Sequence, residues 1–360
     1  MKAPDHPVPS GDREMARGLM AALRGQGHDV EIASRLQAHT AKPSRERLAQ
    51  LQADGQAECA RLLAQWQVPG TAPQLWFTYH PYYKSPDFLG PAVSTALGIH
   101  YVTAEASHAG KRDRDGWAPF QAVVAAGLRQ ADVNFAMTAQ DREGLVRLLG
   151  DAAHIIDLPP FIDSAAFAGQ PPKSRSAPGA RVELVTVAMM RAGAKLKSYA
   201  YLAQALASIL HVPWRLTIVG DGPARAEVAA AFESIPPQRL VWTGAVPVAD
   251  VPKLLARAEL YVWPGFEEAY GVAYLEAQAA GLAVIALECG GVADAMLSGE
   301  TGLLLPEDSS PQQYGYCIAQ LIADAPMRTK LGRRAWRFVL EERSVARAGA
   351  RLQAAFAGTP

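Results

Sequence analysis

Buried-strand patterns alternate with helical periodicity along most of this chain. Short runs of branched and aromatic residues, such as Glu259-Leu-Tyr-Val-Trp-Pro264 and Leu282-Ala-Val-Ile-Ala-Leu287, predict strands covered on both faces. The segments between such runs repeat apolar residues three and four positions apart, which predicts amphipathic helices. This alternation indicates parallel βαβ units and an α/β fold.

The same patterns give approximate bounds for each element. In the first half they predict helices 12–26, 44–66, 87–97, 117–130 and 139–149, and strands 28–33, 74–79, 100–104 and 133–137. In the second half they predict strands 182–188, 214–219, 239–243, 259–263 and 282–287, and helices 197–210, 223–233, 249–257, 271–281 and 291–297. Helical periodicity dominates from Pro311 to the end.

A segment rich in Pro, Gly and Ser, residues 168–180, divides the two halves and has the composition of a linker. We therefore expect an N-terminal Rossmann-like domain over 1–167 and a C-terminal one over 181–340, facing each other across a cleft. The last segment, 341–360, is expected to be a helix that packs back on the N-terminal domain. A domain of this kind should open with a strand, yet the chain opens with a Pro-rich loop, so we expect the first N-terminal strand to be missing.

Composition excludes several classes of function. Lys plus Arg and Asp plus Glu both number 35, so no overall positive charge attracts nucleic acid. The longest apolar runs fall short of the roughly 18 residues that a membrane-spanning helix needs. The three cysteines, Cys59, Cys289 and Cys317, are far apart and lack metal-ligand spacing, which favours a reducing, cytoplasmic compartment.

Two carboxylates, Glu268 and Glu276, flank the predicted start of a helix that follows a buried strand. In open α/β sheets, ligands bind outside the carboxyl ends of the strands. Free amides at this helix start could hold a diphosphate, and Gly271 would let it approach closely. The carboxylates would then bind hydroxyls, Glu276 those of a ribose and Glu268 those of a transferred sugar. We predict a donor site for a nucleoside diphosphate-sugar here, and list its local members as Glu268, Ala269, Tyr270, Gly271, Val272 and Glu276.

Two further loops could complete this donor site. Lys195 or Arg191, after the strand 182–188, could neutralise a departing diphosphate. Gly222 and Gly244 each follow a predicted strand and could present backbone groups to the nucleotide. The dinucleotide fingerprint would need a third glycine where Arg225 stands, so a nicotinamide-dependent oxidoreductase is disfavoured.

These stretches resemble the retaining glycosyltransferases of family 4, also called group-1 glycosyltransferases, which have the GT-B fold. The segment 268–286 is similar to the paired-glutamate signature of that family, and Val219-Gly-Asp-Gly-Pro223, Gly290-Gly291 and Thr301-Gly-Leu-Leu-Leu-Pro306 resemble further family stretches. The resemblance implies metal-independent transfer of a hexose-type sugar with retention, with the nucleoside diphosphate-sugar as a substrate and no cofactor. The implied acceptor is a glycan or a lipid-linked group, of the cell-surface polysaccharide or lipopolysaccharide type.

The resemblance also implies roles for residues of the first half. Ser10-Gly11 stands where the family often has paired glycines against the donor phosphate. The family often has a histidine after the strand 100–104, where this chain has Glu105, with His108 three residues on. We therefore take Glu268, Lys195, Arg191 and His108 as candidate catalytic residues. Candidate acceptor-binding residues are Ser10, Asp12, Arg13, His80 and Glu105.

Departures from the family pattern leave alternatives open. Met189 and Met190 occupy the positions where the family usually has an arginine before the lysine. A non-catalytic sugar-nucleotide-binding or scaffold protein of the same fold, or a sugar-nucleotide epimerase, would fit the same motifs. Asp113-Arg-Asp115 matches an Asp-x-Asp metal pattern but lacks further carboxylates nearby. The basic, apolar helix 45–66 allows peripheral association with the inner face of an anionic membrane as a less favoured alternative to ordinary packing.

Overall fold

The computed structural model describes residues 4–5, 11–150, 154–167, 180–269 and 271–358. It divides into two compact units, Met1–Pro159 with Ala348–Pro360, and Pro160–Arg347. Each unit contains one parallel sheet with helices around it. Within the described residues, no helix is long and apolar enough to span a membrane.

The first unit contains a four-stranded parallel sheet in the order β1-β2-β3-β4. Its strands are β1 (Leu75–Tyr79), β2 (His100–Ala104), β3 (Val133–Ala136) and β4 (Ile155–Asp157). Its helices are α1 (Gly11–Gly25), α2 (Arg45–Gln65), α3 (Gly90–Leu97), α4 (Ala118–Gln130) and α5 (Ala139–Leu149), with most of α12 (Val345–Ala357). The ends of α5 follow local rules, since the Thr138 hydroxyl caps its start and Gly150 adopts a left-handed conformation at its end.

The predicted strand 28–33 is wrong, because residues 28–40 contain no strand or helix. Its alternating apolar residues do not reach a core: Val30 is half-buried and Ile32 is 38 % exposed. A strand is stable only when a neighbouring strand pairs its backbone groups, and β1 pairs with β2 alone among the described strands. The expected absence of a first strand concerns sequence before the described residues and stays a prediction.

The second unit contains a six-stranded parallel sheet in the order β10-β9-β8-β5-β6-β7, the doubly wound arrangement of a dinucleotide-binding fold. Its strands are β5 (Val182–Val187), β6 (Trp214–Val219), β7 (Leu240–Gly244), β8 (Leu260–Val262), β9 (Ala283–Leu287) and β10 (Gly302–Leu305). Its helices are α6 (Ala194–Ala207), α7 (Arg225–Ala231), α8 (Val251–Leu255), α9 (Val272–Ala279), α10 (Pro311–Ala323) and α11 (Ala325–Glu342). The predicted α-helix 291–297 is instead a short 3₁₀ segment, Gly290–Ala295, which begins with two glycines.

Central strands of this second sheet are covered on both faces. Every residue of β8 and β9 is buried, as their uninterrupted apolar sequences predict. Strand order reverses between β5 and β8, which are neighbours in the sheet although three strands apart in sequence. Loops leaving these two strands diverge to opposite faces, so a crevice forms at their carboxyl ends.

Candidate functional site

Lys195 and Glu268 lie at the carboxyl ends of β5 and β8, where the strand order of the second sheet reverses. Lys195 is in the first turn of α6, and Glu268 is in the loop between β8 and α9. The Lys195 Nζ contacts Oε1 of Glu268, and the two side chains are 26 % and 15 % exposed. Two residues that the sequence indicated separately are therefore brought together in a half-buried ion pair.

Trp263 provides a second donor to the same carboxylate oxygen. Its indole Nε1 donates to Glu268 Oε1 at 3.1 Å. Trp263 is only 1 % exposed and directly follows β8. The sequence pattern indicated this tryptophan only as a strand residue. Its place at the end of a buried strand, next to a polar loop, was the one signal that could have identified it.

The backbone around Glu268 requires special conformations. Glu267 has a φ of +53°, which is uncommon for a residue with a side chain. Gly290 packs against this loop so closely that an added Cβ would lie 2.4 Å from the Glu268 carbonyl oxygen. Gly291 donates its backbone N–H to that oxygen at 3.2 Å. The Gly290-Gly291 pair thus fixes the position from which the Glu268 side chain extends.

Helix α9 begins directly after Gly271, which adopts a left-handed conformation with a φ of +54°. Glu276 lies in its second turn and is half-buried, and Val272 is half-buried at its start. Burial raises the pKa of Tyr261 well above its ordinary range, and the charges of Glu268 and Glu276 raise it further. The charges of both predicted carboxylates therefore act on one buried tyrosine. Ala269 is exposed in the loop, and Tyr270 lies outside the described residues.

The loops after β5, β6 and β7 are joined by backbone contacts. Gly220 donates to the carbonyl of Gly244 at 2.9 Å, and the Met190 N–H donates to the carbonyl of Asp221 at 2.9 Å. An added Cβ on Gly222 would lie 2.2 Å from the Met190 carbonyl oxygen. Gly222 and Gly244 therefore belong to closely packed loops at the carboxyl edge of the second sheet.

Met190 and Arg191, in the loop before Lys195, differ in their exposure to solvent. Met190, at one position where the resemblance would place an arginine, is completely buried. Arg191 is exposed, and its side chain has no hydrogen-bond or ion-pair partner in the part of the chain that the structure describes. Arg191 is thus the free cation in the loop that leads to Lys195.

A second cluster lies at the carboxyl edge of the first sheet. His80 and Glu105 directly follow β1 and β2 and have φ values of +60° and +54°. Their side chains meet, with 3.0 Å between His80 Nδ1 and Glu105 Oε1. Burial disfavours the charged imidazole, but the carboxylate of Glu105 outweighs it and raises the pKa of His80. Strained backbone at two adjacent strand ends is typical of functional sites.

Asp141 also belongs to this first-sheet cluster, although the sequence indicated only a helix there. It lies in the first turn of α5, and its Oδ2 accepts a hydrogen bond from the Thr138 hydroxyl at 2.8 Å. Burial, together with the nearby charge of Glu105, raises the pKa of Asp141 to about 6. The charge of Asp12, in turn, helps to raise the pKa of His80.

The remaining predicted residues of the first unit are dispersed. His108 is 9 % exposed, and its Nε2 lies 3.5 Å from Asp113 Oδ1. Burial lowers the pKa of His108. Arg13 is buried and pairs with Glu14, and Gly11 is exposed at the start of α1. Ser10 lies outside the described residues.

Both carboxylates of the Asp113-Arg-Asp115 pattern contact neighbouring side chains of the same loop region. Asp115 pairs with Arg112 at 2.7 Å, and Asp113 faces His108. Among the residues that the structure describes, no three His, Cys, Asp or Glu side chains are grouped as metal ligands.

Comparison with known proteins connects the second unit to a family. Residues 181–324 match the family model described as glycosyl transferases group 1. The chain is 31 % identical over 233 residues to a D-inositol 3-phosphate glycosyltransferase of Kineococcus radiotolerans, covering 58 % of this chain and 53 % of the relative. It therefore spans about half the length of that relative. It is 26 % identical over 287 residues to a GDP-mannose-dependent alpha-(1-6)-phosphatidylinositol monomannoside mannosyltransferase of Mycolicibacterium smegmatis, covering 75 % and 73 % of the two chains.

Solved structures show the same fold over nearly the whole chain. A sucrose-phosphate synthase from Thermosynechococcus elongatus has a TM-score of 0.70 at 20 % identity, covering 98 % of this chain and 96 % of its own. The Anabaena protein HepE, solved with UDP-glucose, has a TM-score of 0.67 at 14 % identity and covers 97 % and 96 %. Residues 181–324 therefore resemble the glycosyl transferases group 1, and the solved structures show that the chain has the GT-B fold.

Proposed function

We propose that this protein transfers a hexose from a nucleoside diphosphate-sugar to a glycan or lipid-linked acceptor, with retention and without a metal ion. The observation that carries this proposal is the Lys195–Glu268 pair at the switch point of the second sheet. A cation suited to a diphosphate and a carboxylate suited to sugar hydroxyls meet where doubly wound sheets bind nucleotides. The match of this unit to the glycosyl transferases group 1 supports the same reaction class.

In the proposed complex, the diphosphate lies between the start of α9 and the Lys195 ammonium. The first-turn amides of α9 supply hydrogen-bond donors, and the helix dipole adds roughly 0.3–2 kcal/mol of attraction for an anion. An enzyme must lower its barrier by about 8–23 kcal/mol, so the helix alone is insufficient. Lys195, with Arg191 as the nearby free cation, would stabilise the negative charge that develops on the departing diphosphate.

The two carboxylates would divide the rest of the donor between them. Glu276, in the second turn of α9, would accept hydrogen bonds from the vicinal hydroxyls of the ribose. Glu268 would bind the hydroxyls of the hexose, which places the sugar beside the Lys195 cation. Each role uses the two acceptor oxygens of an ionised carboxylate.

We further propose that the first-sheet cluster of His80, Glu105 and Asp141 binds the acceptor. His80 and Glu105 are held in left-handed backbone at adjacent strand ends, so their side chains are fixed before an acceptor arrives. The Glu105 carboxylate could accept a hydrogen bond from the attacking hydroxyl of the acceptor. The phosphatidylinositol monomannoside named for the mycobacterial relative supports the proposal of a lipid-linked acceptor, which this protein would meet at the inner face of a membrane.

Turnover tests this proposal directly. Purified protein is incubated with UDP-, GDP- or ADP-hexoses as donors and phosphatidylinositol monomannoside, the acceptor named for the mycobacterial relative, as acceptor. Release of the nucleoside diphosphate is measured, and NMR reports the anomeric configuration of the glycosidic bond in the product. We expect release from one donor, a product with the configuration of the donor, and losses of orders of magnitude in Glu268→Ala and Glu276→Ala. Activity near that of the wild type in both variants would contradict the site assignment.

A further inference from the structure

Trp263 lies at the start of the loop that carries Glu268, and both its ring and its backbone are held by buried tyrosines. It packs edge-to-face on Tyr199, with 4.8 Å between ring centroids and an interplanar angle of 71°. Its carbonyl oxygen accepts a hydrogen bond from the Tyr274 hydroxyl at 3.2 Å. The side chain is buried, with 1 % of it exposed, so close packing restricts changes in the orientation of the indole.

The Nε1–H of this rigid ring donates to Glu268 Oε1 at 3.1 Å. Lys195 Nζ contacts the same oxygen from the other loop. The two donors differ in mobility, because the indole is fixed by packing whereas the lysine has a flexible stem and is 26 % exposed. One donor can therefore leave the carboxylate while the other stays.

The next step rests on the proposed function of the donor site. A diphosphate carries anionic oxygens that compete with Glu268 for the Lys195 ammonium. Once Lys195 turns to the diphosphate, the Glu268 carboxylate loses its contact with that cation. The Trp263 N–H then remains to orient it, through a hydrogen bond to an ionised acceptor.

We propose that Trp263 is a positioning residue that holds Glu268 toward the transferred sugar while Lys195 binds the diphosphate. The two parts of the donor are then recognised through separable contacts. Loss of the indole donor should weaken recognition of the hexose and leave recognition of the nucleoside diphosphate unchanged. A purely structural role for the ring would weaken both together.

Trp263→Phe is the informative variant because it keeps an aromatic ring and removes the N–H. Trp214→Phe is a matched control, since Trp214 is equally buried in the same unit and its Nε1 donates to the Ile209 carbonyl at 3.0 Å. Trp214 is the first residue of β6, at the opposite end of the sheet from the donor site. Thermal unfolding of both variants reports whether they have lost similar stability.

Calorimetric titrations provide the test. The probes are UDP, GDP and ADP, each beside its hexose ester, UDP-glucose, GDP-mannose or ADP-glucose. For the pair that binds the wild type, we expect Trp263→Phe to weaken the hexose ester about tenfold, as for the loss of one hydrogen bond to a charged group. Affinity for the nucleoside diphosphate should change less than twofold, and Trp214→Phe should change neither.

Equal weakening of both probes by Trp263→Phe, or weakening of neither, would overturn the positioning role. A wild-type protein that binds none of the probes would overturn the proposed donor site instead. If Trp263→Phe does not fold, ¹⁵N-labelled wild type gives a second test through its indole N–H resonances. One of these resonances should differ in position between the wild type and Glu268→Gln, and the same resonance should shift when the hexose ester is added to the wild type. If no indole resonance shows both shifts, the inference is contradicted.

Discussion

Lys195 Nζ contacts Glu268 Oε1 and joins the loops that leave two strands adjacent in the sheet but far apart in sequence. The contact spans the point at which the strand order reverses, so it lies where a nucleotide would enter. In the proposed function, the ammonium binds the phosphates of a sugar nucleotide and the carboxylate binds its sugar hydroxyls. The pair therefore places both charges at the site before a ligand binds. Until then each charge is balanced by the other, so neither is buried without a counter-charge.

Gly290→Ala should lower donor affinity by displacing the Glu268 loop. Its φ of +52° disfavours a side chain, and the new Cβ would lie 2.4 Å from the Glu268 carbonyl oxygen. Gly299→Ala is the control, because Gly299 has a φ of +77° and open space around its Cβ position. We expect Gly299→Ala to lose about 1–2 kcal/mol of stability from backbone strain, and Gly290→Ala to lose more because its Cβ also meets the Glu268 backbone, as measured by chemical unfolding. Only Gly290→Ala should weaken calorimetric binding of the donor, and equal binding by both variants would contradict this account of the loop.

Asp141→Asn should stabilise the protein at neutral pH. The pKa of Asp141 is raised in the folded state to about 6 from an ordinary value of 3.8. Between these values the folded state binds more protons than the unfolded one, so this group lowers stability as the pH rises through that window. Asparagine keeps an oxygen for the Thr138 hydroxyl and removes the charge beside Glu105. The denaturant midpoint of the variant should exceed that of the wild type at pH 7, and the gap should close below about pH 4. A gap independent of pH would contradict the assigned cause.

His80 should add a second pH dependence of the same sign. Glu105 raises the pKa of His80, so the stabilisation from their contact is fully present below the ordinary value of 6.5 and is lost as the pH rises through the folded-state pKa. His80→Gln should therefore flatten the fall in stability above about pH 6.5. Unfolding midpoints of wild type and variant, measured from pH 6 to 9, check this, and parallel curves would contradict it.

Arg328→Leu should destabilise the second unit strongly. Arg328 pairs with Glu259 at 3.0 Å, and the two side chains are only 4 % and 9 % exposed. Arg328 also donates to the carbonyls of Leu321 and Ile322. Its removal takes the cationic partner away from a buried carboxylate, which costs about 3–5 kcal/mol.

The control for this ion pair is Arg334→Leu. Arg334 pairs with Glu300 at 3.1 Å on the surface, where the side chains are 35 % and 57 % exposed. Loss of such a pair costs about 0–1 kcal/mol. Urea unfolding measures the loss of stability in each variant. Similar losses in both would show that burial does not determine how much an ion pair contributes here.

Much of the second unit was predictable because its signals are local. Continuous apolar runs predicted β8 and β9, and glycines after the strands marked the tight loops of the carboxyl edge. Glu268, Glu276 and Lys195 were predicted as site residues because they lie in, or in the helices just after, the loops that follow predicted strands, and their roles stay predictions. Short elements were less clear: the three-residue β4 and the four-residue β10 are too short to show periodicity.

Features that depend on contacts between distant segments could not be predicted. The Trp263–Glu268 hydrogen bond and the role of Asp141 arise only when loops from different strands meet. The strand predicted at 28–33 failed for the complementary reason. Its alternation is a local signal, whereas pairing requires a partner strand elsewhere in the chain.

The central claim is that the Lys195 ammonium binds the diphosphate of a sugar nucleotide. Calorimetric titration of UDP, GDP and ADP into wild type, Lys195→Ala and Lys330→Ala tests it most directly. Lys330 is an exposed lysine on α11, so its loss controls for the overall change of charge. The account predicts that one nucleotide binds the wild type and Lys330→Ala equally and binds Lys195→Ala at least tenfold more weakly. Equal binding by all three proteins, or binding of none of the nucleotides by a folded wild type, would contradict it.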